Sequence, residues 1–257
     1  MSDRQKIPTG IRGLDAMLHG GFIPNRPYIV SGPPGAGKTT LCMQYLLEGM
    51  RRGESVLYVT LEEPPNELYE NMTAFGWDVG EMPVLDATSD VRRFEPTPIM
   101  EISSETVPIP FGALPPGIRK SPDFASKEVS VHSLMNLLKT LFTRKGCDRI
   151  VIDSMTALRY FCMKDFEASV TTQSFMRFLS EARTTALLTA DVPEGGTLPP
   201  ETFVARGEIR LHRLRDDTGM KRFISIEKYK GSSHEDIVYP LEIVQARGLV
   251  IHTGGRD

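Results

Sequence analysis

The nine residues from Gly32 to Thr40, GPPGAGKTT, match the phosphate-binding loop pattern G-x-x-x-x-G-K-[ST]. The apolar run 28–30 before them predicts a strand, and apolar residues at helical spacing over 38–47 predict a helix. Glycines allow several backbone N–H groups to converge on phosphate oxygens, and the start of a helix adds partial positive charge. The motif and its flanking elements therefore predict a site for a nucleoside triphosphate.

Residue types within this loop predict separate contacts to the nucleotide. Lys38 can reach the terminal phosphates, and the Thr39 hydroxyl can bind Mg²⁺. Four neighbours, Gly35, Ala36, Gly37 and Thr40, are expected to hold the phosphates. No sequence rule in this loop distinguishes adenine from guanine.

Hydrolysis needs two further groups, a second carboxylate beside the metal and a group that activates water. Asp153 ends the apolar run 149–153, which is the setting for a carboxylate that orients Mg²⁺ at the carboxyl end of a parallel strand. A carboxylate at a strand end can also be the N-cap of a following helix. Both interpretations of Asp153 stay open on local sequence.

The candidates for activating water are Glu62 and Glu63, which follow the apolar run 55–61. Adjacent carboxylates at the exit of a strand point to opposite sides, so one can face the attacking water while the other makes a different contact. Acidic residues also suit the first turn of a helix, and Pro64 and Pro65 mark a helix entrance. A solvated helix start is therefore the alternative.

A third cluster, KYKGSSH, covers residues 228–234. If this segment leaves a strand, alternation puts Lys228 and Lys230 on one face, with both ammonium groups pointing the same way. Two cations aimed together favour an anion and can stabilise the charge of phosphoryl transfer. Lysines also protect exposed strand edges, and composition alone favours that alternative.

Bulk properties limit the class of protein. The chain has 257 residues, 40% of them hydrophobic, which suffices for the core of one α/β domain over 1–257. A net charge of −3 and a pI near 6.0 provide no global basic field for nucleic acid. Cys42, Cys147 and Cys162 lack metal-ligand spacing and are expected to be reduced. Neither a signal segment nor a run of about 18 apolar residues occurs, so we expect a soluble, cytoplasmic protein.

Strand and helix patterns alternate along the chain, which predicts an α/β fold with a mostly parallel central sheet flanked by helices. The interval 91–127 contains seven prolines and predicts a lid or a disordered insertion, of which we favour the insertion. Helices are expected near 129–144 and 168–183. After residue 209 the pattern alternates with period two around Asp217–Gly219, which predicts C-terminal antiparallel β-hairpins.

The order of these motifs resembles the KaiC family, within the RecA/RadA-like ATPases, over nearly the whole chain. The segments that carry the resemblance are IPTGIRGLD at 7–15, GGF at 20–22, the phosphate loop, Glu62–Glu63, FGW at 75–77, IDS at 152–154 and KYKGSSH at 228–234. The clock protein of the family has two such units. With one unit, this chain is similar to the stand-alone KaiC-like proteins of archaea and bacteria.

The resemblance implies a RecA-like P-loop fold and an ATP-hydrolysing ring, usually a hexamer, with ATP and Mg²⁺ between neighbouring subunits and an unidentified client protein. It implies that Lys38 and Thr39 contact phosphate and metal, that Glu62 and Glu63 activate water, and that Asp153 is the acidic metal partner. The residues that would reach the ATP of the adjacent subunit are Lys228, Tyr229, Lys230, Ser232 and His234. The family often has arginine at the place of Lys230. Because lysine cannot make a planar bidentate contact, we expect Lys230 to stabilise the transition state less than arginine would.

Three other activities stay open. A nucleotide-gated scaffold with little turnover would not need both glutamates and both lysines. The stretch 195–203 lacks the family's adjacent Ser/Thr pair, with Thr197 and Thr202 its only hydroxyls, which weakens the case for an autokinase. For DNA binding, the loop after Asp153 offers a basic and aromatic set, Arg159, Tyr160, Phe161 and Lys164. The loop 191–206 is acidic, which argues against tight DNA binding.

Overall fold

In the computed structural model, the described residues are 5–87, 109–110, 131–162 and 168–254, with residues 109, 110, 161 and 162 described by their backbone alone. The prediction of an insertion at 91–127 lies outside the described residues, apart from the two-residue strand Ile109–Pro110. Lys164 also lies outside them.

Ten strands form one sheet. They are β1 (Pro27–Gly32), β2 (Val56–Thr60), β3 (Pro83–Asp86), β4 (Ile109–Pro110), β5 (Arg149–Asp153), β6 (Thr185–Asp191), β7 (Gly207–Asp216), β8 (Gly219–Tyr229), β9 (Tyr239–Val244) and β10 (Gly248–Ile251). Their order is β10-β9-β8-β7-β1-β6-β5-β2-β3-β4. The pairs from β7 to β3 are parallel, whereas β7 to β10 pair as antiparallel hairpins, as predicted.

Seven helices are described. They are α1 (Arg12–Met17), α2 (Lys38–Arg51), α3 (Pro65–Phe75), α4 (Val131–Lys145), α5 (Met155–Cys162), α6 (Ala168–Glu181) and α7 (Pro200–Val204). The sequence did not predict α1, α5 and α7, because helices of eight residues or fewer show too few turns for a periodic pattern. Residues 159–161, predicted as loop, are therefore helical. Among the described helices, none has the length and apolar character required to cross a bilayer.

The sheet separates two hydrophobic cores. Alternation along β1 sends Tyr28 and Val30 to the core under α1, α2 and α3, and Ile29 to the core under α4, α5 and α6. All six residues of β1 are buried. The strand that leads into the phosphate loop is thus fixed from both faces.

The strand register defines two edges of the sheet. Gly32, Asp191, Asp153 and Thr60 end parallel neighbours and form the carboxyl edge. At the opposite, amino edge, the Arg206 N–H donates to the Pro27 carbonyl over 3.0 Å. The six-residue β1 separates the two edges by about 16 Å at the usual rise of a parallel strand.

Candidate active site

The phosphate loop connects β1 to α2 at the carboxyl edge. Gly35 and Gly37 have φ values of 74° and 109°, a region that L side chains rarely adopt. Gly32 has φ 148°, and a Cβ there would lie 2.3 Å from the Leu211 carbonyl oxygen. These glycines let the loop fold back over the end of the sheet and place the start of α2 where anions bind.

Lys38, the first residue of α2, is 9% exposed and points back into the loop. Its Nζ donates to the carbonyls of Gly32 and Pro33 over 2.9 and 3.1 Å, and pairs with Asp191 Oδ1 at 2.7 Å. The ammonium group therefore lies inside the loop, beside a carboxylate from β6.

Thr39 and Asp153 meet at the same edge, as the sequence predicted for the metal-binding pair. The Thr39 hydroxyl donates to Asp153 Oδ2 over 2.9 Å, and the Tyr58 hydroxyl donates to that oxygen over 2.6 Å. Thr189 donates to Oδ1 over 2.5 Å. A hydroxyl and a carboxylate beside a phosphate loop fit Mg²⁺, which takes oxygen ligands and is usually held by one or two side chains, water and phosphate.

Glu62 and Glu63 point to different sides of the chain after β2. The Ser154 hydroxyl donates to Glu62 Oε1. Burial, followed by the charges of Asp153 and Asp191, raises the pKa of Glu62, and Lys38 acts in the opposite direction. Glu62 is therefore the carboxylate that shares the field of the phosphate-loop lysine.

Glu63 has different neighbours. Its Oε1 accepts a hydrogen bond from the Asn71 amide on α3, and its pKa is raised by burial and then by Asp153 and Glu67. Glu63 thus packs on the first turns of α3, which agrees better with the alternative of a helix start than with a role in activating water.

Two arginines from the β7–β8 hairpin contact the outer side of the phosphate loop. Arg213 Nη1 donates to the Pro34 carbonyl over 3.3 Å, and Arg222 Nε donates to the Gly35 carbonyl over 3.1 Å. They are direct cross-strand partners, an arrangement of like charges that is unfavourable unless an anion lies nearby. The Arg213 Nε is buried without a hydrogen-bond partner. Both guanidinium groups can add positive charge beside bound phosphates.

The segment 228–234 lies at the amino edge, away from the phosphate loop of its own subunit. Lys228 lies opposite Glu208 in the register of β7 and β8, and its Nζ donates to the carbonyls of Thr202 and Phe203 on α7. Burial lowers the pKa of Lys228, and the positive charge of Lys230 lowers it further. The structure therefore does not bring these lysines together with Lys38 within one chain.

The other predicted residues of this segment differ in exposure. Tyr229 is buried, donates to the Gly21 carbonyl over 2.7 Å and accepts from the Ile23 N–H over 3.0 Å, so its contacts are those of core packing. The hydroxyl of Ser232 contacts the Ser233 carbonyl over 3.1 Å. The ring of His234 lies edge-on to that of Tyr229, with centroids 6.4 Å apart.

The geometry also bears on the alternative activities. Arg159 pairs with Oε2 of the fully buried Glu201 at 3.4 Å, so the described basic residue of the first predicted DNA loop is engaged within the protein. Thr202 is 3% exposed and donates to the Pro199 carbonyl over 2.7 Å. Thr197 is exposed and is the accessible one of the two hydroxyls.

Sequence reasoning did not assign site roles to Asp191, Tyr58, Thr189, Arg213 and Arg222. Asp191 offered one signal, since it ends an apolar run and so had to reach the carboxyl edge. The positions of the other four depend on which strands are neighbours, and motif spacing does not contain that information.

Comparisons with known proteins agree with this architecture. A family profile described as "ATPase: KaiC" matches residues 7–256. A UPF0273 protein of Thermotoga maritima is 30% identical over 259 residues, which cover 96% of each chain. The circadian clock protein KaiC3 of Synechocystis is also 30% identical, but the match spans only 45% of that relative. A crystal structure of a KaiC-like protein from Pyrococcus horikoshii shares the fold, with a TM-score of 0.73, 24% identity and coverage of 96% of this chain and 98% of that one. This chain belongs to the KaiC family of ATPases.

Proposed function

We propose that this protein binds ATP at the Gly32–Thr40 loop and hydrolyses it in an oligomer whose active sites lie between copies. The loop, Lys38 and Glu62 supply one half of each site. The amino edge of the next copy, with Lys228 and Lys230, supplies the other half. A head-to-tail contact of this kind forms a ring when the rotation between copies closes, and the family resemblance makes a hexamer the expected size.

The observation that carries this proposal is the separation of the two halves. Lys38, Asp153 and Glu62 lie together at the carboxyl edge. Lys230 lies at the amino edge, where its N–H donates to the Arg206 carbonyl. Lys228 precedes it by two residues in β8 and lies beside Glu208, which the register aligns with the middle of β1. Cations that face away from their own nucleotide site can stabilise phosphoryl transfer only on a nucleotide held by another copy.

Binding rests on the loop and on α2. Backbone N–H groups of 35–40 would hold the phosphates, and Lys38 would transfer its donors from backbone carbonyls and Asp191 to phosphate oxygens. Thr39 and Asp153 would hold Mg²⁺, which neutralises phosphate charge. Tyr58 and Thr189 orient Asp153 by donating to both of its oxygens.

Glu62 is the proposed general base. Because Ser154 donates to Oε1, Oε2 is left to accept a proton from the attacking water. The water oxygen then bonds to the γ-phosphorus as the bond to the β–γ bridging oxygen breaks, which releases phosphate and ADP. A raised pKa makes Glu62 a stronger base than an exposed carboxylate.

We further propose that the nucleotide state controls the binding of a client protein. One relative, KaiC3, is named a circadian clock protein. A nucleotide shared between copies suits a regulator, because binding and hydrolysis both act directly on the subunit interface.

Phosphate release from γ-labelled ATP, measured over a wide range of protein concentration, tests the proposal. We expect the rate per subunit to rise with concentration, since each site needs a neighbour. A measurable rate that stays unchanged at concentrations where sedimentation shows single subunits would contradict shared sites. ATP binding without any release would favour the nucleotide-gated scaffold, and label on the protein would indicate an autokinase.

A further inference from the structure

A cavity of about 440 Å³ opens at the amino edge of the sheet. Its lining residues are Asn25, Arg26, Ser180, Arg206, Lys230 and Gly231. Three of the six are cationic, and the volume lies within the range of small-molecule pockets. We call this cavity the amino-edge pocket.

Backbone contacts hold the walls of the amino-edge pocket together. Arg26 Nη1 donates to the Lys230 carbonyl over 2.6 Å, and the Lys230 N–H donates to the Arg206 carbonyl over 2.8 Å. Gly231 follows with φ 88°, and a Cβ there would lie 3.0 Å from Arg26 Nη1. The Arg26 guanidinium thus lies against the turn that leaves β8 and fixes the point from which Lys230 projects.

The charge in this region is unbalanced. Across the described residues, the ion pairs include none that joins Arg26, Arg206, Lys228 or Lys230 to a carboxylate. Burial and then the charge of Lys230 lower the pKa of Lys228, Glu208 acts in the opposite direction, and Arg206 lowers it further. In a chain of net charge −3, such a cluster is a local site for an anion. Each guanidinium has N–H donors to spare, and their fork geometry matches phosphate oxygens.

We propose that the amino-edge pocket binds phosphate oxygens of the ATP held by a second copy, with Arg206 and Lys230 contacting the oxygens and Arg26 positioning the Lys230 turn. This proposal rests on the proposed function and adds two arginines to the half-site. Charge complementarity favours a second copy as the source of the phosphate. The phosphates held at the carboxyl edge of that copy would carry the negative charge that the cations of the pocket complement.

The test measures ATP turnover at saturating ATP for Arg206→Gln and Arg26→Gln, with the exposed Arg144→Gln as a matched control. We expect each pocket variant to be at least about tenfold slower, the effect of one lost charge-assisted contact, and Arg144→Gln to be unchanged. Arg26→Lys keeps one donor for the Lys230 carbonyl, so it should recover part of the loss. Circular dichroism and thermal melts establish that each variant is folded. If Arg26→Gln does not fold, Arg26→Lys replaces it in the turnover measurement.

Mixing subunits then locates the defect. Lys38→Ala subunits, whose pocket is intact, should restore turnover to Arg206→Gln subunits. The double variant Lys38→Ala/Arg206→Gln should not. Two outcomes would overturn this proposal and leave the proposed function standing. The first is rescue by the double variant. The second is wild-type turnover of Arg206→Gln and Arg26→Gln while Lys228→Ala/Lys230→Ala is inactive. Wild-type turnover of Lys228→Ala/Lys230→Ala would overturn both.

A binding measurement separates the two sources of phosphate. Inorganic triphosphate is titrated by calorimetry into Lys38→Ala protein, at a concentration where sedimentation shows single subunits. We expect no detectable binding, because the pocket alone is half of a site. Binding that disappears in Lys38→Ala/Arg206→Gln would identify free polyphosphate as the ligand and contradict the assignment to a second copy.

Discussion

The two adjacent glutamates allow the most discriminating substitution at this site. Glu62→Gln keeps the size of the side chain and an oxygen that can accept from Ser154, but it removes the proton acceptor. A positioned general base contributes about 10²–10⁴ in rate. Since Glu62 is hydrogen-bonded and shares the field of Lys38, we expect a loss of about 10³-fold, equivalent to about 4 kcal/mol in the barrier.

Glu63→Gln is the matched control. Its amide oxygen can still accept from Asn71, and Glu63 contacts α3 whereas Glu62 contacts Ser154, so turnover should stay within about threefold of wild type. Phosphate release at saturating ATP measures turnover, and retention of labelled ATP on a filter measures binding. Affinity should be unchanged or higher in Glu62→Gln, which loses a negative charge near the phosphates. Equal losses in the two variants, or a larger loss in Glu63→Gln, would refute the assignment.

Two other predictions concern protonation and backbone strain. Because Glu62 must be ionised to act and burial raises its pKa, turnover should fall with acid at a pH above that of an ordinary carboxyl group. Ser154→Ala removes a contact that lowers this pKa and should move the acid limb of the pH–rate profile higher, whereas Asp191→Asn removes a negative charge and should move it lower. If the acid limbs of the Ser154→Ala and Asp191→Asn profiles moved in the same direction, the result would contradict this account. Gly32→Ala should lower the free energy of unfolding by about 1–3 kcal/mol in urea, since its Cβ would lie 2.3 Å from a β7 carbonyl oxygen. Gly53→Ala, with φ 73° and open space around it, should lose less, and equal losses would argue against a steric origin.

The sequence predicted the central part of the candidate site for a physical reason. A phosphate loop must follow a strand and open a helix, and the carboxyl ends of parallel strands share one edge. Thr39 and Asp153, 114 positions apart, were both expected at this edge, and in the structure the Thr39 hydroxyl donates to Asp153. Their role in binding the metal stays a prediction. The alternation of strand and helix patterns predicted the mostly parallel sheet, and the change in hydrophobic period near residue 209 predicted its C-terminal hairpins.

Other features were not accessible from sequence. Which of Glu62 and Glu63 lies on the side of Lys38 depends on the path of the chain after β2. Strand alternation predicts only that the two side chains point to opposite sides. Arg213 and Arg222 reach the phosphate loop because β7 pairs with β1 and β8 pairs with β7, neighbour relations that local patterns do not encode. Helix α5 was missed because eight residues contain about two turns, too few for periodicity to distinguish them from a loop.

The central claim is that each ATP site is completed by a second copy, and mixing two inactive variants tests it directly. Lys38→Ala subunits lack a working phosphate loop, and Lys228→Ala/Lys230→Ala subunits lack the opposing lysines. In a randomly mixed 1:1 ring, roughly a quarter of the sites combine an intact loop with intact lysines from the next subunit. The account predicts that ATP turnover absent from either variant alone returns in the mixture and is highest near equal proportions. Mixtures that stay inactive at every ratio, while sedimentation shows that the two variants assemble together, would contradict it.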